Sequence, residues 1–384
     1  MTSPHTDVAE RLRATEYPWT ATTTYVNHAS IGPIAASTQR AIDAVEAKRR
    51  EPGRFQPDDQ VGILRGARAA AARLIGADPA EIALAPNTSY GLNTAASVLP
   101  LAAGDVVLVS DGEFPANVYP WLLLGRHGVE TRIVPRTSAG WPDEARLLDE
   151  LADPKVRALT VSMVQFASGY RVDLARLSQA CRDRGVFLVV DAIQGLGQCP
   201  LDVRRTPVDL LACGAQKWLL GPWGSGFLYV RRELLPELTP AFTGWLAYQG
   251  TDDFNRLTAY DTTFHADARR FELLTLPYQD LAGMTASIAL LESVGVEAIA
   301  EHLLALRAPL TEATERARVA LASPADPACG SGIWCVRVPD PAAAFAKLQT
   351  ERVVASLREG NIRLSPHAYN TVDEVARVVD LLSG

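Results

Sequence analysis

The residues between 187 and 217 constrain this chain more than any other stretch. They begin FLVVDAIQ, an apolar and largely β-branched run that stops at Asp191, with Gln194 close behind. They end DLLACGAQKWLLGP, a second apolar run that breaks at Gly214 and delivers Lys217. The first run reads as a buried parallel strand, and the second as a short strand or turn beside it. Ligands of open α/β sheets sit outside the carboxyl ends of the strands, so an acid and a lysine arrive at one place. A buried carboxylate needs a cationic partner. A lysine in an apolar pocket has its pKa lowered, which favours amine chemistry.

Taken singly, an Asp at a strand end is usually a helix cap, and a Lys before Trp is usually solvated. Together they match one ligand, pyridoxal 5′-phosphate, whose ring nitrogen pairs with an acid and whose aldehyde condenses with a lysine. A phosphate site is then required. DPAEIALAPNTSYGLNTAASVLPL supplies a candidate: a short strand at 82–85, then Thr88 and Ser89 opening a helix that ends near Leu99. Hydroxyls and free N–H groups at a helix start bind anions. The plainer reading of the same residues is a Thr or Ser N-cap.

The remaining order is strand and helix in alternation, which implies right-handed crossovers and a mostly parallel sheet. Helices are expected near 61–75, 121–125, 143–151 and 175–183, with strands at 106–109 and at TRIVP. In GDVVLVSDGEFPANVYPW, Phe114 follows the strand and either stacks on a planar ligand or fills the core. ALTVSMVQFASGYRVDL gives another strand, ending at Gln165. After Lys217, GPWGSGFLYV reads as a glycine turn and the sheet's reversing strand. The loop at 25–32, YVNHASIG, has the Asn, His, Ser and Gly that let a backbone approach a polar ligand, or is an ordinary lead into a helix. Residues 239–265 are irregular and aromatic (Phe242, Trp245, Tyr248, Phe254, Tyr260, Phe264), as functional or interface segments are.

The chain divides into a polar N-terminal arm (1–24), a large domain (25–278), a connecting helix (279–295) and a small α+β domain (296–384), the last beginning with one helix over 298–320. With 384 residues, 48% of them hydrophobic, a sizeable core is available. A formal charge of −7 gives no reason to expect nucleic acid or an anionic membrane as partner. No apolar run approaches membrane length, and the polar start has no apolar signal core, so a soluble cytoplasmic protein is the expectation. Five cysteines without CxxC spacing indicate neither a disulfide framework nor a zinc site.

The ordered motifs YVNHASIGP, NTSYGLN, EFPANVYPW, VDAIQ, QKW, RFE and IRLSPHAYNT resemble those of the fold type I pyridoxal-phosphate enzymes of the class V aminotransferase-like group. That group includes cysteine desulfurases, isopenicillin N epimerase-like proteins and kynureninase. The resemblance implies an aspartate aminotransferase-like α/β fold: a three-layer α/β/α large domain and a small α+β domain. It assigns the Schiff base to Lys217, the pyridinium nitrogen to Asp191, the phenolic oxygen to Gln194 and the ring face to Phe114. Thr88 and Ser89 would hold the phosphate, with Gln165 and Gln216 also on the cofactor. Gln216 stands where many members have His. Gly214 stands where a phosphate-binding Ser or Thr is frequent. Leu274 replaces the glycine of an RFE-x-GT motif, and Thr275 would reach a partner subunit's phosphate. Arg363 would hold the substrate carboxylate, with Asn27 and His28 also on the substrate side. A homodimer with its active site at the interface follows.

In some cysteine desulfurases a cysteine closely follows the C-terminal arginine. Here that segment is LSPHAYNT, and Cys329 and Cys335 are expected in the core. The expected reaction is therefore β-elimination from an amino acid, of the C–S lyase type, with aminotransfer as the alternative (supported by the Gln216–Lys217 pair) and epimerisation third.

Overall fold

The computed structural model of the protein describes residues 4–251, 253, 255–273, 275–316 and 318–383. Phe254 and Leu274, both named above, lie outside the described residues. A short first strand, β1 (Thr24–Tyr25), precedes the main sheet. That sheet contains β2 (Ile82–Leu84), β3 (Val106–Ser110), β4 (Glu130–Val134), β5 (Val156–Ser162), β6 (Phe187–Asp191), β7 (Leu210–Gly214) and β8 (Gly226–Val230). In space the strands run β2-β8-β7-β6-β5-β3-β4. Only β8 runs against the other six. The strands on either side of it therefore point the same way, and their carboxyl ends share one edge.

Downstream lie β9 (Ala320–Leu321), β10 (Trp334–Arg337), β11 (Val353–Val354), β12 (Ser356–Arg358) and β13 (Asn361–Leu364). Four of them form a second, antiparallel sheet ordered β12-β13-β10-β9, while β11 pairs in parallel with β1. The run VVASL is thus shared between two sheets.

The helices are α1 (Pro4–Thr15), α2 (Ala36–Arg50), α3 (Pro57–Ile75), α4 (Thr88–Val98), α5 (Tyr119–Leu123), α6 (Glu144–Glu150), α7 (Leu174–Arg184), α8 (Tyr278–Val294), α9 (Val296–Leu306), α10 (Ala308–Glu315), α11 (Pro341–Thr350) and α12 (Val372–Ser383). Side chains of the central strands alternate between two cores, as the two-residue period of a strand requires. Val107, Val109, Val189, Leu210 and Leu228 meet Leu92 of α4 and Trp121 of α5. Leu108, Val190, Leu211 and Phe227 meet Ala71 of α3, Leu147 of α6, Leu177 of α7 and Met284 of α8. Both faces are buried, which is why these strands read as continuous apolar runs rather than as alternating ones. The result is a three-layer α/β/α architecture.

Two expectations are corrected. The single helix over 298–320 ends at Leu306 and resumes at Ala308, with Pro309 in the first turn of α10. Proline lacks an N–H and disfavours helical geometry just before it, so the break falls there. The polar N-terminal arm also contains a helix, α1, with Ala9 and Leu12 buried, and Tyr17 just beyond it is buried too. Tyr17 packs its ring at a tilt against Tyr369 at 4.3 Å, and Arg13 pairs with Glu374 at 2.8 Å. The beginning of the chain is therefore packed on its end. Among the described residues no helix is long and apolar enough to cross a membrane.

Candidate active site

Five strand ends converge. β6 ends in Asp191, β7 leads through Gly214 to Lys217, and β5 leads to Gln165. β3 is followed by Glu113 and Phe114, and β2 is followed by the start of α4 at Thr88. Lys217 is half-buried, with its Nζ 5.5 Å from the centroid of the Phe114 ring. Phe114 is 44% exposed and meets Phe166 edge-on at 5.3 Å, so it is not part of the core. Burial lowers the Lys217 pKa to about 8, opposed by the charge of Asp191 and reinforced by Arg363. The neutral amine is then far more populated near neutral pH than in an ordinary lysine, though still the minority form.

Asp191 is 2% exposed and accepts a hydrogen bond from Ile193 N–H at 3.0 Å. Among the described residues it forms no ion pair. Burial raises its pKa to about 7, the Ile193 hydrogen bond opposes that, and the nearby Glu113 charge adds to it. A buried carboxylate held up in this way is short of a cation, and a protonated ring nitrogen is one.

Glu113 is a residue the sequence reading missed. Its carboxylate accepts from Ser162 N–H (2.8 Å), Gln165 Nε2 (2.6 Å) and Asn117 Nδ2 (3.1 Å), and also from Ser162 Oγ. Asn117 in turn accepts from Thr160 Oγ at 2.6 Å. This buried acid ties the loop carrying Phe114 to the end of β5, and it fixes Gln165 in the site. Burial raises its pKa, opposed by these hydrogen bonds. The only signal was its place directly before Phe114.

At the phosphate end, the N-cap of α4 is Asn87, whose side chain accepts from Tyr90 N–H at 2.9 Å. Neither Thr88 nor Ser89 is spent on capping. The buried Thr88 Oγ accepts from Gly214 N–H at 2.8 Å, which leaves its own hydrogen to donate, while Ser89 is exposed at the helix start. Gly214 and Gln216 belong together: a Cβ at 214 would lie 2.5 Å from Gln216 Oε1. That Oε1 is buried with no hydrogen-bond partner among the described residues. Orphaned buried acceptors are rare in native structures, and this one fits a site completed by a ligand donor. Thr275 is exposed.

Gln194 is less free than expected. Its Oε1 accepts from Trp218 Nε1 and its Nε2 donates to Ala29 O, both at 2.9 Å. One N–H remains for a ligand.

On the substrate side, Arg363 is 2% exposed. Its guanidinium donates to Phe166 O (2.9 Å), Ser30 Oγ (2.7 Å) and Ser356 Oγ (3.2 Å). Every one of these partners is neutral, and among the described residues no carboxylate pairs with it. Burial lowers its pKa to about 10. Asn27 Oδ1 is a second buried orphan. The loop reaches the site because residue 32 is Gly: a Cβ there would lie 2.2 Å from Lys217 O, and Gly32 N–H donates to Gln216 O at 2.8 Å.

His28 is corrected. It is wholly buried, with Nδ1 on Ser365 O and Nε2 on the Tyr369 hydroxyl, both at 2.8 Å. Burial, then His367, keeps its pKa well below the usual histidine range. It is a neutral strut behind Trp218, and no ring nitrogen is left for a substrate. Cys335 is buried as expected, but Cys329 is half-exposed. Burial raises the pKa of every cysteine, to about 11 for Cys335. None is a ready thiolate.

The aminotransferase class-V family model matches residues 58–365. The uncharacterized aminotransferase YcbU of Bacillus subtilis is 31% identical over 309 residues, 80% of each chain. Isopenicillin N epimerase of Streptomyces clavuligerus is 29% identical over 377 residues, 93% of each chain. Among solved structures, a complex of the cystine C-S lyase C-DES with its reaction product cysteine persulfide superposes with a TM-score of 0.86 at 25% identity, covering 95% of this chain and 98% of that one.

Proposed function

The chain belongs to the aminotransferase class-V family, and from that premise we propose that it is a pyridoxal 5′-phosphate enzyme that breaks the bond between the β-carbon and a sulfur substituent of a cysteine-type amino acid. The observation that carries the cofactor is a buried carboxylate with no ion pair among the described residues, Asp191, at a strand end neighbouring that of a lysine of lowered pKa. When bound, this cofactor supplies an electron sink for the charge that develops at the substrate Cα.

The chain's own residues do the rest. Lys217 would hold the cofactor through its amine, and its Nζ would take the substrate α-proton. Asp191 would keep the ring nitrogen protonated by its charge. Thr88 Oγ and the first N–H groups of α4 would bind the phosphate. Phe114 would cover a face of the ring, while Glu113 holds Gln165 in place. Arg363 takes the substrate carboxylate in its fork, which fixes the Cα–H bond toward Lys217.

Elimination is favoured over sulfur transfer to the enzyme because no cysteine is an exposed thiolate. It is favoured over a two-base epimerisation because the wall facing Lys217 is the ring of Phe114, which moves no proton. Epimerisation is kept as the second reading, since the epimerase relative matches along 93% of both chains. Thr275 and the exposed Trp223, Phe242 and Trp245 support a homodimer. Five free cysteines fit a reducing compartment such as the cytoplasm.

The test is the product spectrum from a panel of amino acids without added oxo acid. An S-substituted cysteine should give a thiol, a 2-oxo acid and ammonia over many turnovers. Arrest after one turnover, relieved by a 2-oxo acid, would make the enzyme an aminotransferase. Loss of optical purity without consumption would make it an epimerase.

A further inference from the structure

A second buried guanidinium lies away from the site above. Arg307, at the junction of α9 and α10, is 5% exposed. Its Nη2 donates to Pro324 O, its Nε is buried without a partner, and among the described residues no carboxylate pairs with it. Burying an unpaired charge is costly, and proteins normally satisfy such a group or place it where a counter-ion binds. Arg307 lines a cavity of about 220 Å³ bounded by α9, the turn at 198–199 and the loop at 327–332. Leu303 and Ala300 of α9 form its apolar wall, and Gly330 and Ser331 form another side. The backbone N–H groups of Gly330 and Ser331 donate to no acceptor among the described residues. Exposed Glu301 stands on the solvent side.

We propose that this cavity binds a short-chain carboxylate, with Arg307 as its counter-ion and the wall of Ala300 and Leu303 against its alkyl tail. A dianion such as phosphate fits less well. Among the described residues Arg307 is the one buried cation lining the cavity, and the Arg171 guanidinium at its edge is already held by Ala328 O at 3.0 Å and Pro327 O at 3.3 Å. The cavity is also wired to the catalytic pocket. Gly332 N–H donates to Gln198 Oε1 at 2.6 Å, Gln198 Nε2 bonds Gln194 O, and the Gln194 side chain holds Trp218 beside Lys217.

The test uses the holoenzyme carrying Arg363→Ala, so that the active-site arginine cannot account for the signal. Butyrate is titrated calorimetrically into that protein and into versions that also carry Arg307→Met or Ala300→Leu, each checked for an unchanged melting profile. We expect one saturable site per chain, weakened at least ~10-fold by either added change, which corresponds to about 1.4 kcal/mol. If Arg307→Met fails to fold, Ala300→Leu decides alone, because it fills the cavity and leaves the charge. The proposal is overturned by the absence of a saturable site up to ~100 mM, by unchanged binding in a folded variant, or by inorganic phosphate competing as well as butyrate.

Discussion

Asp191 bears a charge that its surroundings oppose: burial lifts its pKa to about 7 and Glu113 adds to the strain. A cofactor cation relieves this, so the acid and the ring nitrogen support one another. Asp191→Asn keeps an acceptor for Ile193 N–H but removes the charge. It should retain the cofactor and slow α-proton loss roughly 10- to 1,000-fold, the equivalent of about 1–3 pKa units on the ring nitrogen. Exchange of the substrate α-proton with deuterium oxide measures this, and near-normal exchange would mean that another group holds the ring. Arg363→Ala should raise KM and lower kcat together, because a misaligned Cα–H bond also damages a proton transfer worth about 10²–10⁴-fold. A change in KM alone would reduce Arg363 to a simple binding residue. Asp191, Lys217 and Arg363 were legible because each sits on or just beyond an apolar run or a family motif. Glu113 and His28 were not. A Glu in a loop and a His in a polar motif look solvated until folding seals them, and burial of that kind comes from contacts distant in sequence.

Between elements, the loop at 25–32 and the turn carrying Lys217 touch at backbone level. A Cβ on Gly32 would meet Lys217 O at 2.2 Å, and neither atom can move without shifting the lysine. Gly32→Ala should therefore cost about 1–3 kcal/mol, as overpacking does, and should lower activity along with stability. Gly62, on α3, has open space where a Cβ would stand, with no atom within 4 Å. Gly62→Ala should instead stabilise the protein by about 0.5–1 kcal/mol through helix propensity. Urea unfolding of the two variants side by side checks the contrast, and equal effects would refute it. Strands and most helices were readable because period and length carry them. The split of the helix was signalled locally by Pro309, which the expectation of one helix over 298–320 did not use. The helix in the N-terminal arm had no strong stripe of its own. It is held by Tyr369 and Glu374, near the other end of the chain.

For the whole molecule, the central prediction is that each site draws on two chains. Thr275 is exposed. If it completes the phosphate site of a second copy, Lys217→Ala and Thr275→Ala proteins, each impaired alone, should regain part of their activity when mixed and re-equilibrated. A sedimenting monomer, or no gain on mixing, would place every catalytic group in one chain.

The pairing of β1 with β11 sets a timetable for the growing polypeptide. Thr24 lies opposite Val353, a separation of 353 − 24 = 329 residues. At a synthesis rate of about 5–20 residues per second, the first segment must wait roughly 15–65 s after it is made before its partner exists. Once residue 230 has been made the central sheet has all its strands, while α1, with its apolar side uncovered, still lacks its docking place. A chaperone or a protease meeting the nascent chain would find its handle there.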